Sequence, residues 1–157
     1  MRKRKDERLK NRILITALVV ALGAAFLSVR GVSVAQEKKE RMHRIVFEVN
    51  VDGQEAWGGI LNNVENVQKA FGREHTQIEV VAHGKGLSLL LAADEPLKER
   101  LSKISESGVV LAACENTMRR KNVKKEDLLP FATTVPSGVA EVVLKQEAGW
   151  AYLKGGS

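Results

Sequence analysis

The chain predicts an α/β fold: three α/β/α layers around a parallel five-stranded sheet, preceded by an N-terminal hydrophobic segment. Three observations lead there. Five short runs of β-branched or small apolar residues recur between residues 44 and 154. Stretches with helical spacing separate them, which argues for parallel pairing through right-handed crossovers. The third run, Val109 to Ala113, has no polar residue, as expected of a strand covered by helices on both faces.

The elements follow in order. Arg44 to Asn50 is the first strand. Asp52-Gly53-Gln54-Glu55 has the form of a capping box, with Glu55 three residues after Asp52. Trp57, Ile60, Leu61, Val64, Val67 and Phe71 then fall on one helical face, and Gly72 is the stop. Gly58 and Gly59 weaken this helix by up to about 1 kcal/mol each relative to alanine. They suggest close backbone approach to the sheet or to a neighbouring subunit. Gln77 to Ala82 is the second strand, His83-Gly84-Lys85-Gly86 a tight loop, and Leu87 to Ala92 a short apolar helix. Asp94 caps the next helix, with Pro96 in its first turn, a buried stripe of Leu97, Leu101 and Ile104, and an end at Ser107-Gly108. After the third strand comes Cys114, then a polar helix from Asn116 to Lys121. Ala132 to Val135 is a weak fourth strand. Pro136-Ser137 opens a helix carrying Val139, Val142 and Val143, closed by Gly149, and Trp150 to Leu153 is the fifth strand.

Charge separates the ends of the chain. The 157 residues carry a net charge of +6. Residues 1–35 hold 8 Lys+Arg and 2 Asp+Glu, so the whole excess lies there and residues 36–157 are balanced. A nucleic-acid-binding domain would carry its own basic face, so no nucleic-acid partner is expected. The basic Met1–Arg12, the uncharged Ile13–Val29 and the small-residue run Val32–Ala35 have the three-part layout of an export signal. The apolar run is also close to the roughly 20 residues that span a bilayer. Residues 1–35 therefore read as a signal peptide cleaved after Ala35 or as an N-terminal membrane anchor through residues 13–29. Residues 36–43 read as a linker and 44–154 as the folded domain. Either way the domain lies outside the cytoplasm, periplasmic or otherwise extracytoplasmic.

In an open parallel sheet, ligands bind beyond the carboxyl ends of the strands. Asn50–Gly53, His83–Gly86 and Cys114–Thr117 land there. Cys114 sits where a buried strand turns into a helix, a place that stabilises a thiolate. Arg119, Arg120, Lys121, Lys124 and Lys125 would lower its pKa further if they face the same mouth, and Glu115 would oppose this unless it points away. Against this stands the plainer possibility that Cys114 is a small buried hydrophobe. His83 is a candidate base or anion donor, or simply a loop residue. His43 and His75 lack partners at metal-ligand spacing, and His83–Gly86 has neither phosphate-loop nor dinucleotide spacing, so neither metal nor cofactor is expected. With one cysteine, the chain has no internal disulfide.

The runs Val109–Arg120 (V-V-L-A-A-C-E-N-T-M-R-R), Lys124–Pro130, Val135–Glu141 (V-P-S-G-V-A-E) and Ala148–Tyr152, with Val80–Gly86, resemble the DsrE/DsrF-like family over roughly Arg44 to Lys154. The resemblance implies a three-layer fold, homotrimers or homohexamers, and sulfur relay in which a cysteine after the third strand carries sulfur as a persulfide. Cys114 matches that position. The implied function is an extracytoplasmic sulfur-binding or sulfur-transfer protein. Cys114 is its nucleophile, His83, Gly84, Glu115, Asn116 and Thr117 shape its pocket, and a sulfur donor or acceptor protein is its partner. The competing expectation is a non-catalytic, membrane-tethered oligomeric module that binds a partner or a small anion.

Overall fold

A computed structural model describes residues 41–91 and 95–155 of the chain. The basic stretch, the apolar run 13–29, the cleavage point at Ala35 and the Asp94 cap lie outside the described residues. Five strands, β1 (His43–Val49), β2 (Thr76–Ala82), β3 (Val110–Cys114), β4 (Thr133–Val135) and β5 (Ala151–Gly155), form one sheet in the order β4-β3-β2-β1-β5. Every pairing is parallel. The helices are α1 (Gln54–Phe71), α2 (Glu95–Glu106), α3 (Glu115–Lys121) and α4 (Gly138–Glu147), with short 3-10 segments at Arg73–His75, Gly84–Leu90 and Lys125–Asp127. β1 begins one residue earlier than the sequence suggests, with His43 paired to Thr76.

Alternation along the strands sends side chains to two unlike faces. Ile45, Phe47 and Val49 of β1, Ile78 and Val80 of β2, and Leu111 and Ala113 of β3 join one large core. Trp57, Ile60, Leu61 and Val64 of α1, Leu101 and Ile104 of α2, and Met118 of α3 complete it. Each large side chain fully buried here contributes roughly 1.5–3 kcal/mol. The opposite face is thin: Val46, Val81 and Ala112 meet Val142 of α4, with Val135 and Trp150 at the margin.

Several local expectations change. Asp52 does not cap α1. Its Oδ1 accepts the Gly53 N–H at 2.9 Å and the Ser88 hydroxyl at 3.0 Å, and Gly53 takes the cap position without a side-chain bond. Phe71, at the end of the predicted buried face, is exposed and stacks on His43 with ring centroids 4.0 Å apart. Gly58 and Gly59 do not mark an approach to the sheet, since a Cβ on either would meet nothing within 4 Å. The apolar run after Gly86 forms a 3-10 segment whose Leu87, Leu89 and Leu90 are fully buried. Gly86 itself is a packing necessity: a Cβ there would lie 2.1 Å from the Val49 carbonyl oxygen. Of the three valines predicted on α4, only Val142 is buried; Val139 and Val143 face outward with Leu144. Among the described residues no helix is long and apolar enough to cross a membrane.

Candidate functional site

The connections after β3 and β4 leave the sheet in opposite directions. Met118 of α3 packs into the large core, whereas Val142 of α4 packs on the other face. Diverging connections of this kind open a crevice at the carboxyl ends of the strands. A pocket of about 430 Å³ lies there, lined by His83, Cys114, Asn116, Thr117, Arg119, Arg120, Ser137 and Val139. Cys114 forms its floor and is only 4% exposed.

The sulfur is surrounded by donors. Hydrogen bonding from the Thr117 hydroxyl and from the backbone amides of Gly138 and Thr117 favours its thiolate, and the Asn116 amide, which also donates to the Pro136 carbonyl at 3.3 Å, adds to this. The Thr117 oxygen also accepts the Gly84 N–H at 3.0 Å, which leaves its own proton for the sulfur. Burial alone would push the Cys114 thiol up, but these donors outweigh it and its pKa falls below the ordinary thiol value. The glycine in V-P-S-G makes this possible. A Cβ at Gly138 would stand 3.0 Å from the His83 Cβ and 3.1 Å from the Cys114 Cβ, so a larger residue would push α4 and its amide away from the sulfur. The Ser137 oxygen accepts the Ala140 N–H at 3.4 Å and caps α4 beside the pocket.

The residues singled out from sequence divide into groups. His83, Asn116 and Thr117 line the pocket with Cys114. Gly84 stands behind Thr117 and holds its hydroxyl; its φ of 57° is one that glycine adopts without strain. Glu115 turns away from the sulfur and accepts the Thr134 hydroxyl at 2.8 Å. Arg119 and Arg120 reach the pocket rim, with the Arg119 guanidinium donating to Asn116 Oδ1, but Lys121, Lys124 and Lys125 do not line it. The thiol is thus lowered by hydrogen bonds rather than by the basic cluster. The Asn50–Gly53 loop contributes to a separate groove along the start of α1, with Lys154 on its wall.

Two further residues, neither of them a site candidate from sequence, join His83. Glu48 lies on the same sheet face as Cys114, and its Oε1 is 2.7 Å from His83 Nε2. The Tyr152 hydroxyl donates to its other oxygen. Burial raises the Glu48 pKa, but the bonds from Tyr152 and His83, with the nearby charge of Lys154, bring it below the usual glutamate value. The signal was a lone acid at an alternating position of an apolar strand. Glu79, the other strand carboxylate, is spent structurally: it pairs with Lys145, which also lies 3.4 Å from Glu141 and 4.4 Å from the centre of the Trp150 ring. Among the described residues no group of three potential metal ligands comes together.

Known proteins place this arrangement. The DsrE/DsrF-like family model matches residues 45–154. A protein of unknown function from Methanobacterium thermoautotrophicum, MTH1491, is 33% identical; the match covers 71% of this chain and 98% of that one, with a TM-score of 0.67. The ychN protein of E. coli (11% identity, 73% and 98% coverage, TM-score 0.56) and BT1422 of Bacteroides thetaiotaomicron (15%, 71% and 93%, 0.56) share the fold. No curated protein matches the chain. With the family model running from within β1 to within β5 and taking in the site, the chain belongs to the DsrE/DsrF-like family.

Proposed function

We propose that this protein is a sulfur carrier that takes sulfane sulfur on Cys114 as a persulfide and passes it to an acceptor thiol. One observation carries the reading: hydrogen-bond donors from α3 and the start of α4 surround the Cys114 sulfur at the floor of an open pocket, so its thiolate is favoured where a donor can reach it. In the loading step the thiolate attacks the outer sulfur of a donor persulfide, R–S–SH. A new S–S bond forms on Cys114, the donor S–S bond breaks, and the donor departs as its thiolate. Transfer onward repeats the step with Cys114 as leaving group. Arg119 and Arg120 at the rim favour an anionic donor such as a polysulfide.

The three-part layout of the N-terminal segment supports a site of action outside the cytoplasm, with the domain secreted or tethered by residues 13–29. The outward-facing Val139, Val143 and Leu144 on α4 suit a contact with further copies of the chain, in the trimer or hexamer that the family resemblance implies.

The test is intact mass after incubating the reduced full chain with inorganic polysulfide. The expected result is a gain of one or more sulfur atoms, absent from Cys114→Ser and reversed by a small acceptor thiol. No gain on the wild type, or the same gain on Cys114→Ser, ends the carrier reading. It would leave the tethered binding module, for which a slowly alkylated Cys114 with an ordinary or raised thiol pKa is the signature.

A further inference from the structure

Glu48, His83 and Tyr152 come from three different elements and meet on the α4 face of the sheet, one step behind the sulfur pocket. Glu48 pairs in register with Val81 of β2 and Lys154 of β5. His83 lies two residues beyond Val81 in extended backbone, so it projects from the same face as Glu48. Cys114 follows Ala113, the partner of Ala82, which puts it beside His83 across the β2–β3 boundary. The roots of the His83 and Cys114 side chains both abut Gly138. His83 and Glu48 side chains are each mostly covered, 15% and 18% exposed.

We propose that Glu48 is a positioning residue for the Cys114 site, holding His83 by Nε2 so that Nδ1 is the nitrogen that exchanges protons with the reacting sulfurs. The argument is one of hydrogen-bond polarity. An ionised carboxylate only accepts, so His83 Nε2 must carry a proton toward Oε1, and the neutral ring then has its lone pair on Nδ1. Tyr152 donates to Oε2, which prevents the carboxylate from turning. The depressed Glu48 pKa and the Tyr152 pKa, pushed up to about 12 by its bond to Glu48, agree with a carboxylate that stays charged. The charged and titratable groups around the ring are Glu48 on β1, Tyr152 and Lys154 on β5, Cys114 on β3, and Arg119 and Arg120 on α3.

This rests on the carrier reading and adds its proton path. His83 Nδ1 takes the Cys114 proton, giving thiolate and an imidazolium stabilised by Glu48. The thiolate attacks the outer sulfur of R–S–SH and R–S⁻ leaves. The imidazolium returns the proton to R–S⁻, so R–SH departs and His83 is neutral again. The sum is Cys114–SH plus R–S–SH giving Cys114–S–SH plus R–SH. Nothing is oxidised or reduced overall.

The experiment uses thiol–disulfide exchange by the full chain at neutral pH with two small uncharged probes. Hydroxyethyl disulfide releases a basic thiolate that needs a proton; dithiodipyridine releases a thiol that leaves without that help. Glu48→Gln is expected to slow the first by about tenfold more than the second, because general acid assistance matters only where the leaving group is basic. In a His83→Gln background, Glu48→Gln should add less than about twofold, since the two act as a unit. Tyr152→Phe should give the same preference at smaller size, and it carries the test if Glu48→Gln fails to fold. Equal slowing with both probes, or an undiminished Glu48 effect without His83, overturns the proposal. The probes contain no sulfane sulfur. A leaving-group preference in a protein that never gains sulfur therefore refutes only the carrier, and sulfur loading without the preference refutes only the role of Glu48.

Discussion

The two faces of the sheet differ in what their side chains are used for. On the α1 side, alternate strand residues are Ile45, Phe47, Val49, Ile78, Val80 and Leu111, all buried against three helices and a 3-10 segment. On the α4 side, the intervening positions include Glu48, Glu79, His83 and Cys114, and the apolar contact shrinks to four buried residues. A parallel sheet covered on both sides is usually apolar on both. Here one face supplies the stability and the other carries charge, a thiol and a histidine under α4.

The largest test of that division is energetic. Phe47→Ala, on the thick side, should cost about 3–5 kcal/mol of unfolding free energy, whereas Val142→Ala, the main apolar contact of α4, should cost no more than about 2 kcal/mol. Denaturant unfolding of both variants decides the matter; equal costs would mean that α4 is held as firmly as α1. The next effect is polar. Glu79 is 3% exposed and its charge is met by Lys145. Lys145→Met would strand that carboxylate, and with Lys145 partly open to water the expected loss is about 1–3 kcal/mol. The Glu99–Lys103 pair on α2 is exposed, so Lys103→Met should leave the unfolding midpoint unchanged. A harmless Lys145→Met would show that the α4 face does not depend on its buried ion pair.

What could be read from the sequence follows the same line. The thick face was legible because its strands and α1 repeat apolar residues at periods of two and about 3.6, and Trp57, Ile60, Leu61 and Val64 are buried as that spacing requires. Where short-range chemistry competed, the sequence misled. Asp52 has a capping pattern, but a serine thirty-six positions away takes its carboxylate. Cys114 was visible from its place at a strand end. Its environment was not, because the Gly138 amide and the Gly84–Thr117 bond come from distant segments joined only by the sheet. Glu48 was passed over for the same reason: its partners His83 and Tyr152 are 35 and 104 positions away.

Acid and base sharpen the contrast further. Cys114 has a lowered pKa, so its alkylation should reach half-maximal rate at a lower pH than that of a free thiol. Thr117→Val removes the strongest of the lowering bonds and should move that midpoint upward, slowing alkylation at neutral pH; an unmoved midpoint would mean that the amides act alone. Glu48 also has a depressed folded-state pKa, so its contribution to stability is present above about pH 4.3, the value for an unfolded glutamate, and is lost as pH falls through the lower folded value. Wild type should therefore lose more stability than Glu48→Gln on acidification through that window. Parallel acid-unfolding curves for the two proteins would contradict it.

The smallest effects set two glycines against each other. Gly59 lies in mid-helix on the outer side of α1, where an added Cβ meets nothing. Gly59→Ala should raise stability by about 0.5–1 kcal/mol through helix propensity and leave Cys114 alkylation as it was. Gly138 begins α4, and its missing Cβ is the space in which His83, Cys114 and Val81 approach to between 3.0 and 3.2 Å. Gly138→Ala, at the first residue of α4, gains less propensity and must move the amide beside the sulfur, so its alkylation midpoint should rise even where stability hardly changes. If Gly59→Ala altered the thiol, or Gly138→Ala did not, stability and reactivity would not be divided between the faces. Gly59→Ala would then have to act on Cys114 through the sheet, and the thin face would owe its reactivity to the whole molecule rather than to the close approach of one helix.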